Sequence, residues 1–213
     1  MGKAEALRHA LTNALLAATL APRCAACTRT LDAPLDGPVC AWCWHEARGA
    51  AGRYEGALRD IIHAFKYEGR RSLAAPLAAM LEASAADSLR DAACVVPVPL
   101  HPWRRLRRGF NQAADLARAL DRPVVHALWR VRATAPQAAL AAADRRRNVG
   151  GAFCLSPLLR SSIRTTLITG RIVVLVDDVR TTGATLRACS AVLERAGARE
   201  VRAVTIATAD RRT

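Results

Sequence analysis

The sequence predicts an α/β fold, a parallel sheet flanked by helices, behind a small cysteine-rich N-terminal segment. Three observations predict it. Ile172 to Val176 is a run of five aliphatic residues, four of them β-branched, with no polar alternation. That is the pattern of a strand buried on both faces, as in parallel sheets. Cys94 to Pro99 is a second such run, closing in prolines. Cys24-Ala-Ala-Cys27 and Cys40-Ala-Trp-Cys43 form two C-x2-C pairs with twelve residues between them.

Taken in order, Met1 to Ala21 is expected to form an amphipathic helix packed on the protein. Leu7, Leu11, Leu15 and Ala18 share one stripe, with Arg8, Thr12 and Asn13 off it. Early Lys3 and Arg8 ahead of the apolar Leu11–Ala21 stretch leave a signal peptide as the alternative. The two C-x2-C pairs match the knuckles of a tetrahedral zinc site with Cys24, Cys27, Cys40 and Cys43 as ligands. Pro34 to Pro38 would reverse the chain between them. Two disulfides, unused thiols or an iron–sulfur cluster are the alternatives, and His45 is not needed as a ligand. A metal would replace the core that so short a segment cannot build.

Tyr54 to Phe65 reads as a helix through Leu58, Ile61, Ile62 and Phe65. A charged break follows, Phe65 to Arg71, after which Ser72 can cap a second helix through Leu81. Pro76 falls in the early turns of that helix, where it is best tolerated. Lys66 is either a phosphate contact or a solvated surface lysine. Past the Cys94–Pro99 strand, Leu100 to Gln112 reads as a basic loop that opens a helix from Gln112 to Leu120. Arg104, Arg105, Arg107 and Arg108, flanked by Trp103 and Phe110, suit a diphosphate or a nucleic-acid backbone. Val124 to Trp129 reads as a strand, Thr134 to Asn148 as a basic helix-prone segment, and Gly151 to Cys154 as a short strand. Leu155 to Gly170 reads as a loop with no assigned role. Cys94, Cys154 and Cys189 lie in apolar surroundings and read as small core residues.

Asp177 and Asp178 end the Ile172–Val176 run, and the carboxyl end of a parallel strand is where ligands bind in open α/β sheets. Thr181-Thr182-Gly183-Ala184-Thr185 then opens a helix through Leu186, Ala188, Val192 and Leu193. Such a turn offers backbone N–H groups, hydroxyls and a positive helix end to an anion. A diol binder followed by a phosphate cradle suits a ribose 5-phosphate. The loop has no G-K-[ST], which argues against a P-loop nucleotidase. Glu200 to Thr208 supplies a final strand.

The net charge of +14 resembles that of a nucleic-acid binder. Only Lys3 and Lys66 are lysines, however, and alanine is abundant, a bias that GC-rich coding also produces. Charge alone therefore leaves polyanion binding open. No apolar run reaches the length of a membrane span, and a cytoplasmic location is expected.

The D-D-x-x-T-T-G-x-T segment resembles the signature of type I phosphoribosyltransferases. The P-V-P-L-H-P…R-R-G-F-N-Q-A string, the upstream F-K-Y-x-G and the double C-x2-C together resemble the ComF family of competence-associated proteins. That resemblance implies a phosphoribosyltransferase-like domain behind a zinc finger, with domains at 1–50 and 51–213. It implies that Asp177 and Asp178 contact the ribose hydroxyls of phosphoribosyl pyrophosphate (PRPP). Thr181, Thr182, Gly183, Ala184 and Thr185 would hold its 5-phosphate, and Mg²⁺ would accompany it. Lys66, Arg104, Arg108 and Arg145 would contact phosphates, and Gln137, Leu140, Arg145 and Asn148 resemble the family's mobile-loop pattern. Arg180 departs from the commoner pattern, where an aromatic or aliphatic residue is expected. Two functions follow from the resemblance. One is a DNA-handling protein of competence whose pocket binds PRPP or a DNA 5-phosphate without turnover, whose arginines and zinc knuckle hold single-stranded DNA, and which works with DNA-uptake proteins. The other is an active phosphoribosyltransferase of nucleotide metabolism with an acceptor the sequence does not reveal.

Overall fold

The computed structural model describes residues 2–50, 52–131 and 151–209, which divide into two compact units, 1–73 and 74–213. Each is built around a different kind of core.

In the first unit, helix α1 (Lys3–Leu20) forms as expected but turns the other way. Leu7, Leu11 and Leu15 are exposed, whereas Asn13 is buried. The docked face is polar because what it meets is polar. Asn13 Oδ1 accepts a hydrogen bond from the Leu35 N–H at 2.8 Å, and His9 Nε2 lies 2.6 Å from Asp36 Oδ1. Both partners belong to a 3₁₀ turn, Pro34–Asp36. The leucine stripe is thus not the packing face. Asn13→Ala is expected to cost about 0.5–1.5 kcal/mol by removing the hydrogen bond to the Leu35 N–H, while Leu11→Ser costs nothing measurable. Amide exchange within α1 for the two variants checks this, and the reverse ranking would refute it.

Helix α2 (Ala41–Gly49) carries the last cysteine pair into α3 (Gly56–Tyr67), against which it packs. The stripe of Leu58, Ile61, Ile62 and Phe65 on α3 is fully buried, the spacing that makes an amphipathic helix hold its place. Glu46 on α2 accepts from the Ala57 N–H at 3.2 Å, satisfying one of the first donors of α3. Ser72 falls inside a 3₁₀ turn, Arg71–Leu73, that leads directly into the next helix.

The second unit is built on a parallel sheet. Strand β1 (Cys94–Pro97) pairs with a strand Ile172–Arg180, which pairs on its other side with Glu200–Thr208. With β2 (Leu128–Arg130) and β3 (Phe153–Leu155) introduced between them in sequence, these are β4 and β5. The central strand, β4, is buried from Ile172 to Val176, as its unbroken aliphatic run requires. It runs on past the aspartates to Arg180, so the acid pair stands within the strand's last turn of pairing.

Alternation divides the core. Cys94, Val96, Val98, Val173 and Leu175 share one hydrophobic cluster with Leu186, Cys189, Val192 and Leu193 of a helix spanning Ala184–Arg195. On the other face α4 (Ala74–Ser84) and α7 (Gln112–Ala119) pack together, with α5 (Ala86–Leu89) and α6 (Pro102–Arg108) lying between them in sequence. Leu175 is fully buried, worth about 1.5–3 kcal/mol relative to exposure. Cys94 and Cys189 are buried small core residues, and Cys154 is half-buried.

Three sequence expectations change here. The basic stretch after β1 is partly helical. His101 Nδ1 accepts from the Trp103 N–H at 3.3 Å, Pro102 opens α6, and Gly109, at φ +76°, closes it. The expected Val124–Trp129 strand is two pieces. Val124 bridges Val95 in parallel, whereas Leu128–Arg130 turns away to pair antiparallel with Phe153–Leu155. The Leu155–Gly170 loop contains α8 (Ser161–Leu167), and the later Ala184–Arg195 helix is α9. Leu159, Ile163 and Leu167, four residues apart, pack that turn against the core cluster. Among the described residues, no helix is long and apolar enough to cross a membrane.

Candidate functional site

The sheet delivers its chemistry at the carboxyl end of β4. Asp177 and Asp178 are half-buried, and Asp177 Oδ1 accepts the Asp178 N–H at 2.9 Å. The chain then turns through Thr181 and Thr182 to Gly183, which at φ +70° starts α9 in the left-handed region that favours glycine. A small cavity of about 30 Å³ sits in this turn, lined by Asp177, Thr181, Gly183, Ala184, Thr185 and neighbouring residues. Thr182 does not line it. Its hydroxyl lies 3.4 Å from the Ala184 N–H.

Asp178 is outside this lining. Successive strand side chains point to opposite faces, which accounts for Asp177 alone of the two lining this small cavity. Two cations overhang the turn. A side chain at Gly183 would meet Arg187 Nη1 at 3.1 Å and Arg180 Cδ at 3.9 Å. Arg187 was not anticipated from the sequence, although it lies four residues after Gly183, on the same face of the first turn of α9.

Of the predicted phosphate contacts, Arg104 belongs to the same electrostatic neighbourhood. Burial holds the Arg130 guanidinium below the ordinary arginine range, nearby Arg104 adds to this, and Cys189 and Asp177 oppose it. An arginine shifted from so high a starting value stays charged at neutral pH. Arg130 was also missed, because a lone arginine in a short strand carries no periodic signal. It is buried, with its guanidinium 5.2 Å from the Phe153 ring centroid. Arg108 instead donates to Gln112 Oε1 at 3.1 Å. Lys66 belongs to the first unit, its Nζ 5.8 Å from the Tyr54 ring centroid. Gln137, Leu140, Arg145 and Asn148 lie outside the described residues.

The four cysteines form a second site. Their sulfurs all lie within 4.8 Å of one another, with Cys24 and Cys43 buried. Cys27 and Cys40 are 3.8 Å apart. A tetrahedron with metal–sulfur bonds of about 2.3 Å has edges of about 3.8 Å, so the cluster can hold a metal such as zinc. Backbone N–H groups of Ala26 and Cys40 point at the Cys24 sulfur, at 3.4 and 3.3 Å. Burial pushes the Cys24 thiol up, but N–H groups from Cys27, Cys40 and Ala26 outweigh it and bring the thiol down to about 7. Burial raises the Cys40 and Cys43 thiols. A cation held among the four sulfurs would favour the thiolate forms.

Residues 106–213 match the phosphoribosyl transferase domain family. "Competence protein F" of Haemophilus influenzae is 35% identical over 160 residues, which cover 70% of this chain and 67% of that protein. "DNA utilization protein YhgH" of Escherichia coli K12 is 35% identical over 159 residues, 70% of this chain and 66% of that protein. The chain belongs to the ComF family. "Competence protein ComFC" of Bacillus subtilis is 30% identical over 155 residues, 72% of this chain and 60% of that protein. Against these ComF-family relatives, the matched stretch thus spans from 60% to 67% of the relative's length. The ComF assignment agrees with the parallel sheet, the flanking helices and the N-terminal four-cysteine cluster.

Proposed function

We propose that this ComF-family chain binds PRPP at the β4–α9 turn and works on or with single-stranded DNA. The observation that carries the first half is the turn itself: Asp177, Gly183 and Thr185 around one small cavity, beneath Arg180 and Arg187. Its backbone N–H groups and helix end suit a 5-phosphate, and its carboxylate suits a ribose hydroxyl. Asp178, next to it at the carboxyl end of β4, is the second hydroxyl contact. Arg104, Arg108 and Arg145 neutralise the pyrophosphate. Asp177 offers the half-buried oxygen that fits Mg²⁺, which when bound would shield the pyrophosphate charge.

In the catalytic form of this reading, a nucleophile displaces pyrophosphate from ribose C1. Asp177 and Asp178 hold the hydroxyls and stabilise the positive charge that develops on the ring, while the arginines hold the leaving group. Titration calorimetry of PRPP with Mg²⁺ tests the binding half, and absence of a heat of binding would end it.

The DNA half draws on the names of the relatives and on the exposed Trp103 beside the arginines of α6. Aromatic side chains stack bases while arginines track phosphates. Single-stranded DNA is expected to bind without strong sequence preference, with affinity falling steeply between 50 and 200 mM salt, as roughly expected for several phosphate contacts. If low-salt anisotropy shows no binding, the positive charge is compositional. The four-cysteine cluster is proposed to carry structural zinc, and DNA-uptake proteins are the proposed partners.

A further inference from the structure

A cavity of about 610 Å³ opens beside the carboxyl end of β1, separate from the small one in the β4–α9 turn. Its volume is that of a small-molecule site. Leu128, Leu159, Ile163 and Leu167 make apolar walls, and Pro97, Pro99, Pro102 and Trp129 add flat faces. The charged side chains lining it are Arg105, Arg118 and Arg130, with no Asp or Glu among the described lining residues. Arg118 pairs with Asp115 at 2.6 Å and so contributes little. Arg130 lies in the field of Asp177, and exposed Arg105 keeps the balance positive. His126 adds no charge, since burial and then Arg118 and Arg105 hold its imidazole below the ordinary range.

These walls select a ligand by two criteria. Inorganic phosphate would satisfy the arginines and leave the apolar surface wet. A neutral ring would cover the walls and leave Arg105 without a counter-charge from the ligand. We propose that the cavity is a binding site for a planar aromatic carboxylate of one or two rings. The ring lies between the proline and tryptophan faces, and the carboxylate meets Arg105 and Arg130. Its place is next to the first site. Pro97 pairs with Val176, the residue before Asp177, so the ligand stands at the same sheet edge as the β4–α9 turn. The inference does not depend on what that turn binds.

The test uses 2-naphthoate and 2-naphthamide, which share a shape and differ in charge, titrated into the full chain by calorimetry. The acid is expected to bind at least about tenfold more tightly, as one charge-assisted hydrogen bond implies. Arg105→Gln, at an exposed position, should erase most of that preference. Ile163→Trp should fill the cavity and abolish binding of both probes. Should that variant not fold, Leu158→Trp, at an exposed lining position, supplies the block. Leu106→Ser, outside the lining, should change nothing. Equal affinity for acid and amide, no binding of either, a preference untouched by Arg105→Gln, or binding that survives the filling variant would each overturn the proposal.

Discussion

Replacing Cys40 with Ser is expected to release the metal and melt residues 24–49 while the sheet unit stays folded. A structural four-cysteine zinc site contributes about 10–16 kcal/mol in small domains, as much as the whole stability of a typical domain. A neutral serine hydroxyl cannot replace a thiolate in it. The knuckle segment has little else, with Leu31, Val39 and Ala47 as its buried apolar side chains beside the cysteines. The sheet has its own core of Val96, Leu175 and Leu193, all fully buried, in the other unit. Metal analysis should fall from about one zinc per chain to near none. Amide exchange should lose protection in residues 24–49 and keep it in β1 and β4. Cys154→Ser, outside the cluster, is the control. A metal-free wild-type chain with residues 24–49 fully protected would sink the structural-metal reading.

The second large effect is expected at the β4–α9 turn, whose two ends can be separated. Gly183→Val puts a β-branched residue at φ +70°, a region that costs non-glycine residues about 1–2 kcal/mol. The protein atom it would meet, Arg187 Nη1, ends a flexible side chain and can move. The loss therefore falls on backbone geometry and on the close approach of the ligand, so PRPP and ribose 5-phosphate should weaken alike. Replacing Asp177 and Asp178 together with Ala should weaken both ribose ligands at least about tenfold, since one lost charged hydrogen bond already costs about 1.5 kcal/mol. Inorganic phosphate should be spared, or gain, because negative charge is removed beside it. Single replacements add a further distinction. Asp177 lines the cavity and Asp178 does not, so Asp177→Ala should carry the larger share. PRPP affinity unchanged in the double variant would move the site elsewhere.

Much of this protein was written in short-range pattern. β4 was legible because a strand buried on both faces must be aliphatic throughout, and β5 keeps the bounds its sequence suggested, Glu200–Thr208, although only Val204, Ile206 and Ala207 of it are buried. The four cysteines were legible because each knuckle closes within one C-x2-C, so spacing alone brings its two sulfurs together. The Thr-Gly turn was legible for the same reason. Gly183 is where a left-handed residue must start α9.

What the tertiary structure decided are matters of direction. The stripe on α1 was real, yet it faces outward because the surface it meets offers the N–H of Leu35 and the carboxylate of Asp36 rather than apolar side chains. α6 and α8 form inside segments that read as loops. A capping His101 with Pro102 stabilises the first, and core contacts of Ile163 and Leu167 hold the second. Arg130 comes into the field of Asp177 across a distance in sequence that no local motif spans, whereas Arg187 lies only four residues past Gly183. The pleat of one strand assigned Asp177 to the cavity and left Asp178 out of its lining, a distinction that two adjacent identical letters cannot carry.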